Sequence, residues 1–185
     1  MKRKLTIIFS LAAMLALLTG GTWAYFTAQA STENTITTGS VHLQIHQRTA
    51  DGTEISQGEP VMPGDTVSRI VTVENTGEQP VYLRVRLIKG VLGEALSAEE
   101  CMSFAVNTGA WTSRDGYYYY NEALPAGGET ASLIDEIHFE GMAIDNAYLG
   151  KGFTLDVEAY GVQSVNNGGS ALDALGWPEE ATEQE

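Results

Sequence analysis

Apolar and polar residues alternate through much of this chain with a period of two, the spacing of a strand with one buried face. Val41-His42-Leu43-Gln44-Ile45-His46 alternates in this way, and Val81-Tyr82-Leu83-Arg84-Val85-Arg86-Leu87 does so strictly, predicting a solvent face for Arg84 and Arg86. Val67, Arg69, Val71 and Val73 share one parity and Ile70 takes the other, in a β-branched run that ends at Asn75-Thr76-Gly77. Tyr117 to Tyr120, Ser132 to Phe139 and Phe153 to Val162 complete the predicted strands. Turn signals separate them at Asp51-Gly52, Pro63-Gly64-Asp65, Asp115-Gly116 and Pro125-Ala126-Gly127-Gly128. Short strands punctuated by Gly and Pro predict an all-β antiparallel β-sandwich. Two short helices are expected beside it: one capped by Ser97 with Glu100 at its third position, the other running from Ser170 to Leu175.

The N-terminus breaks this pattern. Lys2-Arg3-Lys4 precedes an apolar run from Leu5 to Leu18, followed by Thr19-Gly20-Gly21-Thr22-Trp23-Ala24. That run is short of the ~20 residues a spanning helix needs, and no positive flank follows it. A cleaved signal peptide is expected, and with it export and no lasting membrane anchor. Small residues fit a cut between Ala24 and Tyr25 or one before Ser31. The helix-breaking Gly20-Gly21 favours Ala24/Tyr25. The expected organisation is a signal peptide over 1–24, an extended segment over 25–39, a sandwich over 40–165, and a short helix with an acidic tail over 166–185. The segment from Tyr25 to Thr38 is rich in Thr, Ser and Asn and poor in core residues, so it reads either as a flexible lead-in or as a strand for another molecule.

Charge narrows the partners. The formal net charge is −14, and loss of Lys2, Arg3 and Lys4 with the leader makes it −17. Nucleic acid and anionic lipid both require a basic patch, so nucleic-acid binding is excluded. Cys101 is the single cysteine, which excludes an internal disulfide and reads as a buried, inert thiol or a reactive one.

Catalytic chemistry is hard to find. There is no His-Glu-x-x-His, no Gly-x-Ser-x-Gly and no phosphate-cradling loop ahead of a Lys. His42 and His46 fall on one strand face about 13 Å apart, too far to share a metal ion without a bulge; His138 stands alone. Asp51, Asp65, Asp115 and Asp145 occupy turn positions, where carboxylates accept backbone hydrogen bonds. No segment spells a calcium loop, and no cofactor is expected. Tyr117, Tyr118, Tyr119 and Tyr120 would send one pair into the core and leave the other as an aromatic surface for a sugar or a protein, or as cross-strand support.

Taken in order, several of these pieces resemble one family, the camelysin-like and biofilm-matrix secreted proteins of Gram-positive bacteria typified by TasA. The pieces are Gly20-Gly21-Thr22-Trp23-Ala24 with Tyr25-Phe26, Thr38-Gly39-Ser40-Val41-His42-Leu43, Met62-Pro63-Gly64-Asp65, Val73-Glu74-Asn75-Thr76-Gly77, Gly116 to Asn121, Pro125-Ala126-Gly127-Gly128-Glu129, and Val157 to Gln163. The resemblance implies a jelly-roll sandwich, export through a dedicated signal peptidase, and a structural rather than enzymatic role at the cell surface or in the extracellular matrix. It also implies self-association, or assembly with related matrix subunits, into fibres in which the N-terminal segment of one copy, including Tyr25, Phe26 and Ile36, completes a sheet of the next. Some relatives are credited with protease activity, so a camelysin-type metalloprotease is the alternative, beside a carbohydrate-binding or pilus-associated module.

Overall fold

A computed structural model describes residues 27–31, 34–36, 41–55, 62–92, 96–144, 146–148 and 151–178. The chain forms β1 (Thr27–Ser31), β2 (Asn34–Ile36), β3 (Leu43–Arg48), β4 (Thr66–Ser68), β5 (Ile70–Asn75), β6 (Val81–Val91), β7 (Met102–Ser103), β8 (Trp111–Arg114), β9 (Tyr117–Tyr120), β10 (Glu136–Phe139) and β11 (Phe153–Gln163). One sheet has the order β2-β1-β11-β6-β9-β8, and every pairing in it is antiparallel.

The facing layer is built from the pair β3-β5 and the trio β4-β10-β7. These join because β4 and β5 are one strand interrupted at Arg69. Arg69 N–H donates to Asp135 O at 2.9 Å and Val71 N–H to Ile134 O at 3.1 Å, so the ladder continues past the break. Thr130 N–H to Val73 O and Asn75 N–H to Gly128 O, both 2.9 Å, extend it along residues 128–134.

The two layers enclose Val71, Val73, Leu83, Val85, Leu133, Ile134, Leu155 and Val157, all essentially without solvent contact. Each such aliphatic side chain contributes about 1.5–3 kcal/mol through burial. Trp111 ties the layers with a directed bond, its indole N–H donating to Ala131 O at 3.2 Å. The all-β antiparallel sandwich read from the alternation is thus the observed architecture. Asp115 (φ 51°) and Gly116 (φ 79°) turn the β8–β9 hairpin, where two positive φ angles match the twist of the strands.

The two expected helices do not form. Ser97 accepts the Glu99 N–H at 3.3 Å, but the chain makes one turn, closed by Cys101 N–H to Ala98 O, before Met102 pairs with Phe139. Around Ser170 there is again a single turn, closed by Asp173 N–H to Ser170 O. Both segments are too short to recover the cost of helix nucleation, and strand pairing or side-chain docking captures them first. Among the described residues the helical element is a 3₁₀ turn at Asn146–Tyr148.

Candidate functional site

β11 is paired along both of its edges. Along one edge it pairs with β6 over its whole length, from Phe153↔Val91 to Gln163↔Val81. Along the other it pairs with β1 in the register Thr27↔Val162, Ala28↔Gly161, Gln29↔Tyr160, Ala30↔Ala159, Ser31↔Glu158. β2 then folds back on β1, with Gln29 opposite Ile36. The N-terminal segment therefore completes a sheet of its own chain. Of the residues expected in a donor strand, Ile36 ends β2, while Tyr25 and Phe26 lie outside the described residues.

The receiving stretch of β11 explains why a neighbour is required there. Ala159, Tyr160, Gly161 and Val162 are buried, which means both faces of the strand are covered. A strand without water on either face leaves its backbone N–H and C=O groups unsatisfied unless another strand supplies partners. On the inner face a Cβ built on Gly161 would stand 2.9 Å from Val41 Cγ1 and 3.1 Å from Leu43 Cδ1. Glycine is what lets β3 approach this edge so closely. The residues opposite on β1 are small as well, Ala28 facing Gly161 and Ala30 facing Ala159.

The outer face is covered by the C-terminal segment. Tyr82, Tyr117, Tyr119, Tyr160 and Val162 form a second apolar cluster with Ala171, Ala174 and Trp177. The four consecutive tyrosines are accordingly divided between two interiors. Tyr117 and Tyr119 are buried under the C-terminal segment, and Tyr118 and Tyr120 pack against the main core. Nor does Arg84 face solvent as the alternation predicted. Its guanidinium lies 4.0 Å from the Tyr117 ring centroid, 4.9 Å from Trp177 and 5.3 Å from Tyr160, and donates to Pro178 O at 3.0 Å. Arg86 is also drawn in, bonded to Glu158 at 2.9 Å. Glu158 accepts the Tyr160 hydroxyl at 2.7 Å, and burial, reinforced by this carboxylate, pushes the Tyr160 phenol well above its ordinary value.

With the N-terminal strand and its edge in view, comparison with known proteins is informative. Residues 1–87 match the family model described as camelysin metallo-endopeptidase. Over this N-terminal part the chain is similar to the camelysin family. No curated protein and no solved structure matches it. The camelysin match runs from residue 1 through β1 to β5 and into β6, so it contains the N-terminal strand but not the β11 edge that receives it.

The metallo-endopeptidase activity for which that family is named directs attention to the metal-ligating side chains. Among the described residues, no group of three His, Cys, Asp or Glu is placed to hold a metal ion. His46 is nonetheless not the exposed strand residue expected. It is buried on the β3–β5 face, with Nδ1 3.0 Å from Glu54 Oε1 and Nε2 3.2 Å from Glu74 Oε2. The two carboxylates lie at opposite ends of the ring, so they satisfy it rather than share an ion with it.

Arg48 stands in the same cluster, donating to Glu54 at 3.0 Å and to Glu129 at 2.6 Å. The Thr72 hydroxyl bond, aided by Arg48 and against the opposing effect of burial, holds the Glu129 carboxyl below its ordinary value. At Glu54 burial is the largest influence and acts upward, but hydrogen bonds from His46 and Arg48 overcome it and the carboxyl is again lowered. His42 is half-buried, and His138 bonds Thr66 at 2.9 Å. Asp51 and Asp65 serve their turns, accepting from Thr53 N–H at 3.1 Å and Met62 N–H at 2.8 Å; Asp145 lies outside the described residues. Cys101 is buried, its thiol 3.8 Å from Ala143 O.

Proposed function

We propose that this is a secreted structural protein of the cell surface or biofilm matrix, self-assembling by strand donation. β1 pairs with β11 of its own chain in the single molecule and with β11 of a neighbour in the assembly. The carrying observation is that β11 from Ala159 to Val162 is buried on both faces and completed by a strand near the N-terminus. The same main-chain hydrogen bonds serve either arrangement, so exchange between chains loses no pairing, as in domain swapping.

The reading bears on the leader. Cleavage before Ser31 would remove Thr27 to Ala30 and leave the β11 edge open, whereas cleavage between Ala24 and Tyr25 keeps all of β1. Strand donation thus goes with an exported chain that begins at Tyr25. Purified protein with this start forms oligomers seen by sedimentation and electron microscopy, and deletion of Tyr25 to Thr38 leaves a folded monomer. Equal polymerisation of the shortened chain would overturn strand donation.

A second reading follows from the family description, a secreted metallo-endopeptidase. Casein cleavage that survives repurification and is abolished by a chelator would establish it.

A further inference from the structure

We infer that Arg84 and Trp177 are positioning residues for the acceptor strand, acting through a C-terminal strap, residues 166–178, that braces β11 where it receives β1. The consequence for assembly rests on strand donation; the bracing itself is a property of one chain.

The strap is built to hold a shape. Asn166 takes a positive φ of 59°, and the buried Asn167 side chain closes the loop, donating to Gln163 O and Leu175 O at 3.0 Å each and accepting Leu175 N–H at 2.9 Å. This fixes the strap directly to the end of β11. From there Ala171 and Ala174 are buried against the tyrosines, Arg114 on β8 donates to Leu172 O at 3.3 Å, and Trp177 packs edge-on to Tyr119 at 5.7 Å.

The register shows where the bracing is felt. Tyr119 on β9 is opposite Arg84 on β6, Arg84 is opposite Tyr160 on β11, and Tyr160 is opposite Gln29 on β1. One row thus runs from the strap's anchor to the donated strand. The Arg84 guanidinium sits at the centre of this row among three rings, and its buried Nε has no hydrogen-bond partner among the described residues. Ring faces and the Pro178 carbonyl hold it. Cation–π contacts of this kind strengthen as water is excluded. Losing Trp177 admits water to Arg84 and loosens Tyr160 within the stretch that β1 must pair with.

The test is amide hydrogen exchange on the chain beginning at Tyr25, compared with Arg84→Met and Trp177→Ala. Loss of a partly desolvated cation–π contact predicts exchange at 158–162 and 27–31 faster by about five- to tenfold. Exchange along Ile70–Asn75 in the facing sheet should be unchanged. Arg84→Lys, which keeps the charge without the flat stack, shows the same local pattern at smaller amplitude, and Leu175→Ala, at an exposed strap position, shows none. Exchange that rises equally in both sheets makes the contribution general stability and overturns the inference. So does unchanged exchange at 158–162. Absence of fibres would count against strand donation and leave this result standing.

Discussion

Gly161 on β11 and Val41 ahead of β3 meet so closely that a Cβ on the glycine would lie 2.9 Å from Val41 Cγ1. That contact sets the distance between the acceptor strand and the layer beneath it. Gly161→Val forces Val41 and Leu43 outward at the residue opposite Ala28. Overpacking of this kind costs about 1–3 kcal/mol. The urea midpoint should fall accordingly, with the β1 amides losing protection before those of β5.

Asn75 supports a second prediction. It is fully buried, its amide donating to Gln79 O at 2.8 Å, Pro125 O at 3.1 Å and Leu124 O at 3.2 Å, while its carbonyl oxygen accepts Gly77 N–H at 3.0 Å. One side chain thus pins the end of β5 to the loop that begins the neighbouring segment. Asn75→Ala takes the side-chain partner from Gln79 O and Gly77 N–H, while Leu124 O and Pro125 O keep Val81 N–H and Gly128 N–H, and each hydrogen bond lost costs about 0.5–1.5 kcal/mol. Thermal unfolding should show a large loss, and Asn75→Asp should lose stability too, because a carboxylate cannot donate to the three carbonyls.

The acid limb of stability should be traceable to Glu54 and Glu129. Both carboxyls are held below their ordinary value of 4.5 in the folded chain. A lowered folded value means the unfolded chain binds protons first as pH falls. Stability from these groups is then fully present above about pH 4.5 and is lost as pH drops through the lowered folded values. Denaturant midpoints measured between pH 6 and pH 3 should decline, and Glu129→Gln should flatten the decline. An unchanged acid limb in that variant would assign the effect elsewhere.

Much of this fold was legible because its strands carry their own signal. The strict alternation at Val81 to Leu87 and the β-branched run through Val71 and Val73 both became strands with the expected core faces. Alternation was misleading where a second layer covers a strand's other side. Arg84 and Arg86 occupy polar parity, yet the C-terminal segment encloses Arg84 with Trp177. The Ser97 cap is a real side-chain contact that serves a single turn, while the Ser170 hydroxyl bonds the Asp173 carboxylate. β8 escaped notice because Trp111-Thr112-Ser113-Arg114 contains one apolar residue, and β7 is two residues long. The receiving edge was the least legible feature. Thr27 to Ser31 has no hydrophobic pattern, and nothing local specifies that it pairs with Glu158 to Val162. That match depends on a strand whose two faces are buried by segments far apart in sequence.

The most direct test of strand donation is a register-specific cross-link between Ser31→Cys and Glu158→Cys. These positions are directly opposed in the β1–β11 ladder, and directly opposed residues on antiparallel strands lie within the reach of a disulfide, about 4.5–5.5 Å between Cα atoms. Cys101 is buried and stays out of the reaction. Oxidised monomer should run as a single chain on a non-reducing gel. Oxidised assemblies should give a ladder of dimers, trimers and higher species that collapses on reduction. Assemblies whose 31–158 disulfide remains within each chain would contradict the account.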